Sequence, residues 1–502
     1  MEEMIKKRVD IWLNGAYDEE TKASIRNMIQ HSPDELTDSF YKDLEFGTGG
    51  LRGIMGVGTN RMNKYTVAMA TQGLANYIKQ NFPNQSTSVA IAYDSRNNSK
   101  YFSEIVADVL SANHIKVYVF TKITPTPELS FAIRLLKCQS GIVITASHNP
   151  KEYNGYKVYW EDGGQLVPPH DRNVIAQAQK IKSLEEVKFE RNQDLVSYID
   201  KEVDVPYIEK IKTLSLHPDI IQKHHDLKIV YTPLHGTGVY MVPEALRAFG
   251  FTNVSLVEKQ AIPDGNFPTV QSPNPEEIAA MSMAIEQAKS IEADIVLATD
   301  PDADRIGVAV KTKNNQYELL NGNMTLTLLV YYVLKEWKRK QKIDGNQFIV
   351  KTVVTTELVR EIAEKEGVEC MDVLTGFKYI AEKILLYEGK KEFILGGEES
   401  FGCLVGDFVR DKDAVISCAV LAELAAVAKN EGKTLYDILI DIYLEYGFYK
   451  EHLISITKKG QHGANEIKQM MDDYRTQPPV EINGSKVVKI NDILLLQTKD
   501  CV

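Results

Sequence analysis

The sequence predicts an α/β fold: three tandem, similar, mixed-sheet α/β domains followed by a partial α+β C-terminal domain. Three observations carry this expectation. Short β-branched runs alternate with segments of helical period, as βαβ units around a mostly parallel sheet require. A pattern of helix end, short turn and strand recurs at Val109 to Phe120, Ala245 to Val257 and Ile362 to Leu374. The 502 residues, at about 150 per domain, leave room for about three domains.

Taken in order, residues 1–40 read as a helical lead-in closed by Ser32-Pro33. The strands of the first domain, 41–205, include Val89 to Tyr93 and Gly141 to Thr145, nearly continuous in apolar residues as strands buried on both faces are. Between them, Phe102, Ile105, Val106, Val109 and Leu110 form one stripe of a helix over Ser99 to Asn113. Linkers are expected near Asp204-Val-Pro206 and from Lys338 to Asn346. A second domain over 206–325 carries the runs Lys228 to Thr232 and Asp294 to Ala298, and a third over 326–446 carries Glu392 to Gly396. In the incomplete domain over 447–502, Ile467, Met470, Met471 and Tyr474 mark an amphipathic helix, and Asn483-Gly484 marks a tight hairpin. A hairpin and a helix cannot bury a self-sufficient core.

Composition narrows the function classes. A net charge of −11 argues against a nucleic-acid coat or a polybasic membrane anchor, though a local basic pocket still suits an anionic small substrate. Five cysteines (Cys138, Cys370, Cys403, Cys418, Cys501), odd in number and without a C-x-x-C pair, indicate thiols of a reducing compartment and neither a disulfide frame nor a zinc site. Met1 to Arg8 contains no apolar signal core, and the most apolar stretch, Ala414 to Ala428, carries Glu423 and is too short for a bilayer. A soluble, cytoplasmic protein without membrane or nucleic-acid partners is expected, with its oligomeric state left open.

Four segments hold the chemistry-bearing residues. Thr145-Ala-Ser-His-Asn-Pro150 places Ser147 at a strand end beside His148, with Lys157 ten residues on, as an activated nucleophile would be placed. The G-x-S-x-G hydrolase elbow is excluded, since Thr145 and Asn149 flank the serine. Asp300, Asp302 and Asp304, at i, i+2 and i+4 of an extended loop, point to one side and suit a hard divalent cation. An EF-hand is excluded because Arg305 and Lys311 stand where its Gly and Glu belong; three oxygen ligands with open positions match Mg²⁺ completed by a phosphate. Gly396 to Gly402 offers Glu398 and Ser400 to vicinal sugar hydroxyls, and Arg410 to Asp413 is either a solvated helix start or a phosphate contact. Phe46-Gly-Thr-Gly-Gly-Leu-Arg-Gly53, with no buried strand before it, clusters glycines that let backbone N–H groups and Arg52 approach an anion.

These segments, with Thr375-Gly-Phe-Lys378, make the sequence resemble the α-D-phosphohexomutase superfamily, phosphoglucomutase/phosphopentomutase branch, from about residue 40 onward. The resemblance implies a phosphosugar mutase that interconverts glucose 1-phosphate and glucose 6-phosphate through a phosphoserine enzyme and a bisphosphate, with glucose 1,6-bisphosphate as activator. Ser147 would carry the phosphoryl group. One Mg²⁺ would be held by Asp300, Asp302, Asp304 and an oxygen of that phosphoserine. Lys157 and His148 would transfer protons and stabilise charge, and Arg52 and Arg305 would steady the phosphoryl group. Glu398 and Ser400 would orient the sugar, while Thr375, Gly376, Lys378 and Lys412 would contact substrate from the third domain.

Related readings are a phosphopentomutase acting on ribose or deoxyribose 1-phosphate, or a bisphosphate synthase. The family's R-P-S-G-T-E-P-like phosphate loop has no counterpart in this sequence, where Thr498 to Val502 follow Gln497. A truncated form that binds phosphosugar or Mg²⁺ without turnover is therefore a further alternative. A phosphohydrolase with Asp302 or Asp304 as nucleophile is the reading from another class.

Overall fold

The computed structural model describes residues 3–44, 46–47, 50–451, 456, 458, 460–492 and 497–500, in two compact units, 1–449 and 450–502. Three helices lead in: α1 (Glu3–Asn14), α2 (Glu19–His31) and α3 (Pro33–Phe40). Their apolar faces meet around Trp12, Ile25, Leu36 and Phe40, with Tyr65 and Val109 of the next domain completing the cluster. Ser32-Pro33 does not close this lead-in. Ser32 N–H closes α2 on Met28 O, and Pro33 opens α3 at a first-turn position where a missing N–H costs nothing.

The first α/β layer contains β1 (Phe46–Gly47), β2 (Gly50–Ile54), α4 (Lys64–Asn81), β3 (Ser88–Tyr93), α5 (Ser99–Ala112), β4 (Lys116–Phe120) and α6 (Thr126–Leu135). It continues with β5 (Ser140–Ile144), β6 (Tyr153–Trp160), α7 (His170–Lys180), β7 (Val196–Ile199) and α8 (Lys201–Lys212). The sheet order is β1-β2-β6-β5-β3-β4-β7, parallel from β5 to β7 and antiparallel on the other side.

The described part of the Gly-rich segment is built into the sheet: Phe46-Gly47 pairs with Gly50-Leu51, and Gly50 to Ile54 pairs antiparallel with β6, Arg52 opposite Gly155, while Thr48 and Gly49 lie outside the described residues. Its glycine allows close backbone approach: at Gly50 (φ +96°) a Cβ would lie 2.4 Å from Tyr156 O. One expectation fails here, since Asp204-Val-Pro206 is not a linker. Pro206 lies inside α8, whose stripe Val203, Tyr207 and Ile211 is buried, so packing overrides the proline.

The second layer comprises α9 (Pro218–Lys223), β8 (Ile229–Thr232), α10 (Gly238–Phe249), β9 (Val254–Leu256), α11 (Ile278–Ile291), β10 (Ile295–Thr299), β11 (Ile306–Lys311) and β12 (Tyr317–Leu320), in sheet order β12-β11-β10-β8-β9. The third comprises α12 (Gly322–Arg339), β13 (Gln347–Thr352), α13 (Leu358–Glu366), β14 (Glu369–Val373), α14 (Phe377–Tyr387), β15 (Glu392–Gly397), β16 (Cys403–Val405), α15 (Ala414–Asn430) and α16 (Leu435–Tyr446), in order β14-β13-β15-β16. Both sheets mix parallel and antiparallel pairs, as expected.

The second and third layers share one continuous core, from Tyr207 to Ile442, with α15 running through it. That is why α15 is apolar all round: Val415, Ile416, Val420, Leu421 and Ala426 are all buried. Its carboxylate Glu423, fully buried, accepts from Leu216 N (2.9 Å), His217 N (2.7 Å) and Ser215 Oγ (2.6 Å), satisfying the amides that lead into α9. Among the described residues no helix is long and apolar enough to cross a membrane.

The second unit holds α17 (Gly460–Thr476) and two antiparallel pairs. These are β17 (Glu481–Ile482) with β18 (Ser485–Lys486), and β19 (Lys489–Asp492) with β20 (Gln497–Asp500). Asn483 (φ 47°) and Gly484 (φ 82°) are both left-handed, the turn that Asn-Gly predicts.

Candidate active site

The three sheets deliver their chemistry from the carboxyl ends of strands, where α/β sheets bind ligands. Ser147 and His148 follow β5, Asp300 to Arg305 follow β10, and Glu398 and Ser400 follow β15; Thr375 and Gly376 follow β14. The structure brings the first two groups into contact. Ser147 Oγ donates to Asp300 Oδ2 at 2.5 Å, and His148 Nδ1 lies 3.2 Å from the same Oγ. Ser147 is buried with φ 51°, a conformation costly for a side-chain-bearing residue, and its N–H is held by Thr145 Oγ1 at 2.8 Å.

Asp300, Asp302 and Asp304 converge by a route other than the extended loop expected. The segment is a turn in which Ala303 is left-handed (φ 52°), and Asp300 Oδ1 accepts from the N–H groups of Asp304 (3.1 Å) and Arg305 (3.0 Å). The wrap brings one oxygen of each carboxylate within 4.8 Å of the others, all three residues buried. Asp302 Oδ1 and Asp304 Oδ1 have no hydrogen-bond partner. Buried, mutually repelling oxygens left unpaired are the donor set a hard metal ion needs, so these residues fit one.

Every layer ties this turn down. Thr126 N donates to Asp302 O (2.9 Å) and Thr126 Oγ1 to Asp302 Oδ2 (3.0 Å). Thr237 N donates to Pro301 O at 2.8 Å, and Ala414 N to Ala303 O at 3.2 Å. Ile306 N donates to Phe401 O (2.9 Å), which joins the metal turn to the loop of Glu398 and Ser400.

Cations surround the carboxylates. Lys157, on β6, places Nζ 2.8 Å from Asp302 and 3.2 Å from Asp304. Burial opposes its charge, but the two aspartates prevail and raise its pKa. Lys412 lies 3.2 Å from Asp304 and its pKa is likewise raised against burial by Asp304 and Asp411; Gly402 makes room for it, since a Cβ there would lie 2.0 Å from Lys412 Cδ. Arg52 donates to Asn149 Oδ1 at 3.0 Å, and Arg305 pairs with Glu276 at 2.6 Å. Burial, then Arg305 and Arg52, bring the His148 pKa down to about 3.

The third layer's groups stand further apart. Glu398, buried, accepts from Gly376 N at 2.9 Å, and burial raises its pKa although Lys412 works against this. Lys378 Nζ is 3.6 Å from Asp171, Ser400 is half-buried and Thr375 exposed. Arg410 to Asp413 is not a solvated helix start. Arg410 is fully buried, Tyr159 OH donates to Asp411 Oδ2 (2.7 Å), and Asp413 caps α15.

Sequence reasoning missed Thr126, Thr237 and Arg96, whose guanidinium donates to Ser147 O. Only Thr126 had a local signal, Pro125 and Pro127 opening a helix behind the active face.

Three family profiles match the chain: the phosphoglucomutase/phosphomannomutase α/β/α domain I over 43–185, domain II over 205–314 and domain III over 321–446. A phosphoglucomutase of Staphylococcus haemolyticus is 38% identical over 483 residues, 93% of this chain and 86% of that protein. One from Staphylococcus aureus strain MRSA252 is 38% identical over 488 residues, 97% and 86% of the two chains. Among solved structures, a phosphomannomutase-like protein of Thermus thermophilus shares the fold at a TM-score of 0.66 and 24% identity, over 81% of this chain and 84% of that one. Parafusin of Paramecium does so at 0.65 and 18%, over 92% and 85%. On the strength of three matched domains and this identity, the chain belongs to the phosphoglucomutase/phosphomannomutase family and is an isomerase, a phosphohexomutase.

Proposed function

We propose that this protein interconverts glucose 1-phosphate and glucose 6-phosphate through a phosphorylated Ser147 and a sugar bisphosphate, primed by glucose 1,6-bisphosphate, in the cytoplasm. The observation that carries the reading is the meeting of Ser147 Oγ with Asp300 at 2.5 Å beside two buried lysines. Asp300, Asp302, Asp304 and an oxygen of the phosphorylated serine would hold Mg²⁺, which the oxygen-only donor set favours, and the ion would neutralise phosphoryl charge. The free thiols of Cys138, Cys370, Cys403 and Cys418 suit a reducing compartment.

In the forward step a sugar hydroxyl oxygen attacks phosphorus. The P–Oγ bond breaks as the new P–O bond forms, and the hydroxyl proton ends on Oγ. His148, with Nδ1 at 3.2 Å from Oγ, is placed to relay that proton. Lys157, kept cationic by Asp302 and Asp304, and Arg52 and Arg305 balance the charge spread over the transferring group. The bisphosphate then turns over, and its other phosphate returns to Ser147 while the first stays on the sugar. Glu398, Ser400, Thr375, Gly376, Lys378 and Lys412 hold the sugar and its distal phosphate in either orientation.

Against an aspartyl nucleophile stands the engagement of Asp302 and Asp304 by Lys157. A coupled assay with glucose 1-phosphate, Mg²⁺ and trace glucose 1,6-bisphosphate tests the proposal, with ribose 1-phosphate as comparison substrate. Turnover lost in Ser147→Ala supports it. No glucose 6-phosphate from folded wild-type protein sinks it, and a preference for ribose 1-phosphate replaces the hexose with a pentose.

A further inference from the structure

We propose that Arg96 is the positioning residue of the nucleophile: its guanidinium fixes where Ser147 Oγ stands for phosphoryl transfer, without touching the sugar. The inference rests on the phosphoserine reading above.

Arg96 follows β3 in the stretch Asp94-Ser95-Arg96 and is 3% exposed. Its guanidinium accounts for the backbone of a whole neighbouring loop. Nη2 donates to Ser147 O (2.5 Å) and to Asn149 O; Nη1 donates to Pro150 O (2.9 Å) and Tyr153 O (3.1 Å). Four inward-facing carbonyls within seven residues are thus gathered by one planar group. Pro150 O also accepts from Tyr153 N at 3.0 Å, and the fixed five-donor fork of an arginine has the geometry to serve all four carbonyls together.

The fork is itself held on two sides. Its Nε lies 3.4 Å from Asp94 Oδ2, and both residues are buried. Asp94 Oδ1 in turn accepts from Arg96 N (2.9 Å) and Ser99 Oγ (2.6 Å). From the second layer, the Phe267 ring faces the guanidinium, with Cζ 5.0 Å from its centroid. The same segment reaches the serine loop directly, through Ser272 Oγ to His148 O at 3.1 Å. At Gly265 a Cβ would lie 2.3 Å from Asn97 N, so this packing requires a glycine.

The link to catalysis is Ser147's own backbone. A serine at φ 51° keeps that conformation only when its surroundings impose it, and the carbonyl bonded to Arg96 is Ser147's own. Relaxing that bond rotates the residue toward an ordinary φ and carries Oγ away from Asp300 and His148. In-line transfer tolerates little such displacement; a shift of about 1 Å costs on the order of 100-fold in rate.

The test compares Arg96→Lys, which keeps the charge but loses the fork, with wild type and with Ser147→Ala. The expected result for Arg96→Lys is a kcat lowered on the order of 100-fold with KM for glucose 1-phosphate changed less than about threefold. Intact-mass analysis after incubation with glucose 1,6-bisphosphate is expected to show phosphorylation of Ser147 slowed by the same factor. A folded Arg96→Lys with wild-type kcat, or one whose loss lies in KM, overturns the inference.

Should Arg96→Lys not fold, Phe267→Leu reads the same point by removing the ring that faces the guanidinium: a lowered kcat at constant KM supports it, and unchanged kcat overturns it. Absence of turnover in wild type itself would instead be the failure of the mutase reading.

Discussion

The metal turn and the Thr375 to Lys378 loop face the same proposed substrate and are built on opposite principles. The turn is buried, its backbone tied to all three layers through Thr126, Thr237 and Ala414. The Thr375 loop has fewer ties, Gly376 N to Glu398 (2.9 Å), Tyr379 N to Gly376 O (3.0 Å) and Lys378 to Asp171 (3.6 Å), and leaves Leu374 and Thr375 in solvent. On the proposed reading, the phosphoryl-transfer side is preorganised while the sugar side stays the more adaptable of the two. A mutase needs that division, because one set of transfer groups must serve a sugar presented in two orientations.

That contrast can be broken at graded points. The largest effect is expected from Ser147→Ala: turnover falls by at least about 10³-fold, and no phosphorylated protein is seen by mass after incubation with glucose 1,6-bisphosphate. Next is Asp302→Asn, which removes one charge of the triad. Millimolar Mg²⁺ should raise the wild-type melting temperature through binding to the folded state and leave that of the variant nearly unchanged, while activity drops about 10²- to 10³-fold. Glu398→Gln lies on the adaptable side; KM for glucose 1-phosphate should rise about tenfold or more, with a smaller change in kcat. A result reversed in kcat and KM would erase the distinction between the two sides.

Thr126→Val deletes a single buried hydroxyl bond to Asp302, worth about 1 kcal/mol, so kcat should fall about five- to tenfold at constant KM. Thr375→Ala removes one exposed hydroxyl from the proposed sugar side, worth about 1 kcal/mol as a neutral hydrogen bond, so KM is expected to rise about three- to fivefold. Steady-state kinetics at saturating Mg²⁺ reads both.

What the sequence made legible follows the same line. Asp300 to Arg305 and Ser147 stand directly after apolar strands, so their chemistry was visible in consecutive letters, and β5, β10 and β15 lie where periodicity put them. The residues that hold this chemistry in place were hidden. Thr126 meets Asp302 across 176 positions, and Arg96 meets Ser147 across 51. No local pattern encodes a hydrogen bond between distant loops.

Context also overruled local rules. Pro206 reads as a break but is carried inside α8 by its buried stripe, and Gly50, read only as part of a Gly-rich loop, serves a tight strand pairing. The charges of Arg410 to Asp413 left a solvated helix start open beside a phosphate contact because their partners, Glu388, Tyr159 and Tyr207, come from elsewhere in the chain.

The core shared from Tyr207 to Ile442 bears on how this molecule comes apart. Two regions that sequence comparison separates at about residue 320 are joined by α15, which belongs to the later one yet packs on α10 and β10 of the earlier one. Their slowest-exchanging amides should open together in one sub-global event that includes α8, whose Tyr207 and Ile211 lie in the same core, while the strands of the first sheet, packed in separate clusters, protect independently. Limited proteolysis should accordingly spare the junction at Asn321, where Asn321 caps α12 inside the common core, and a chain split there should yield two fragments that fold only in each other's presence.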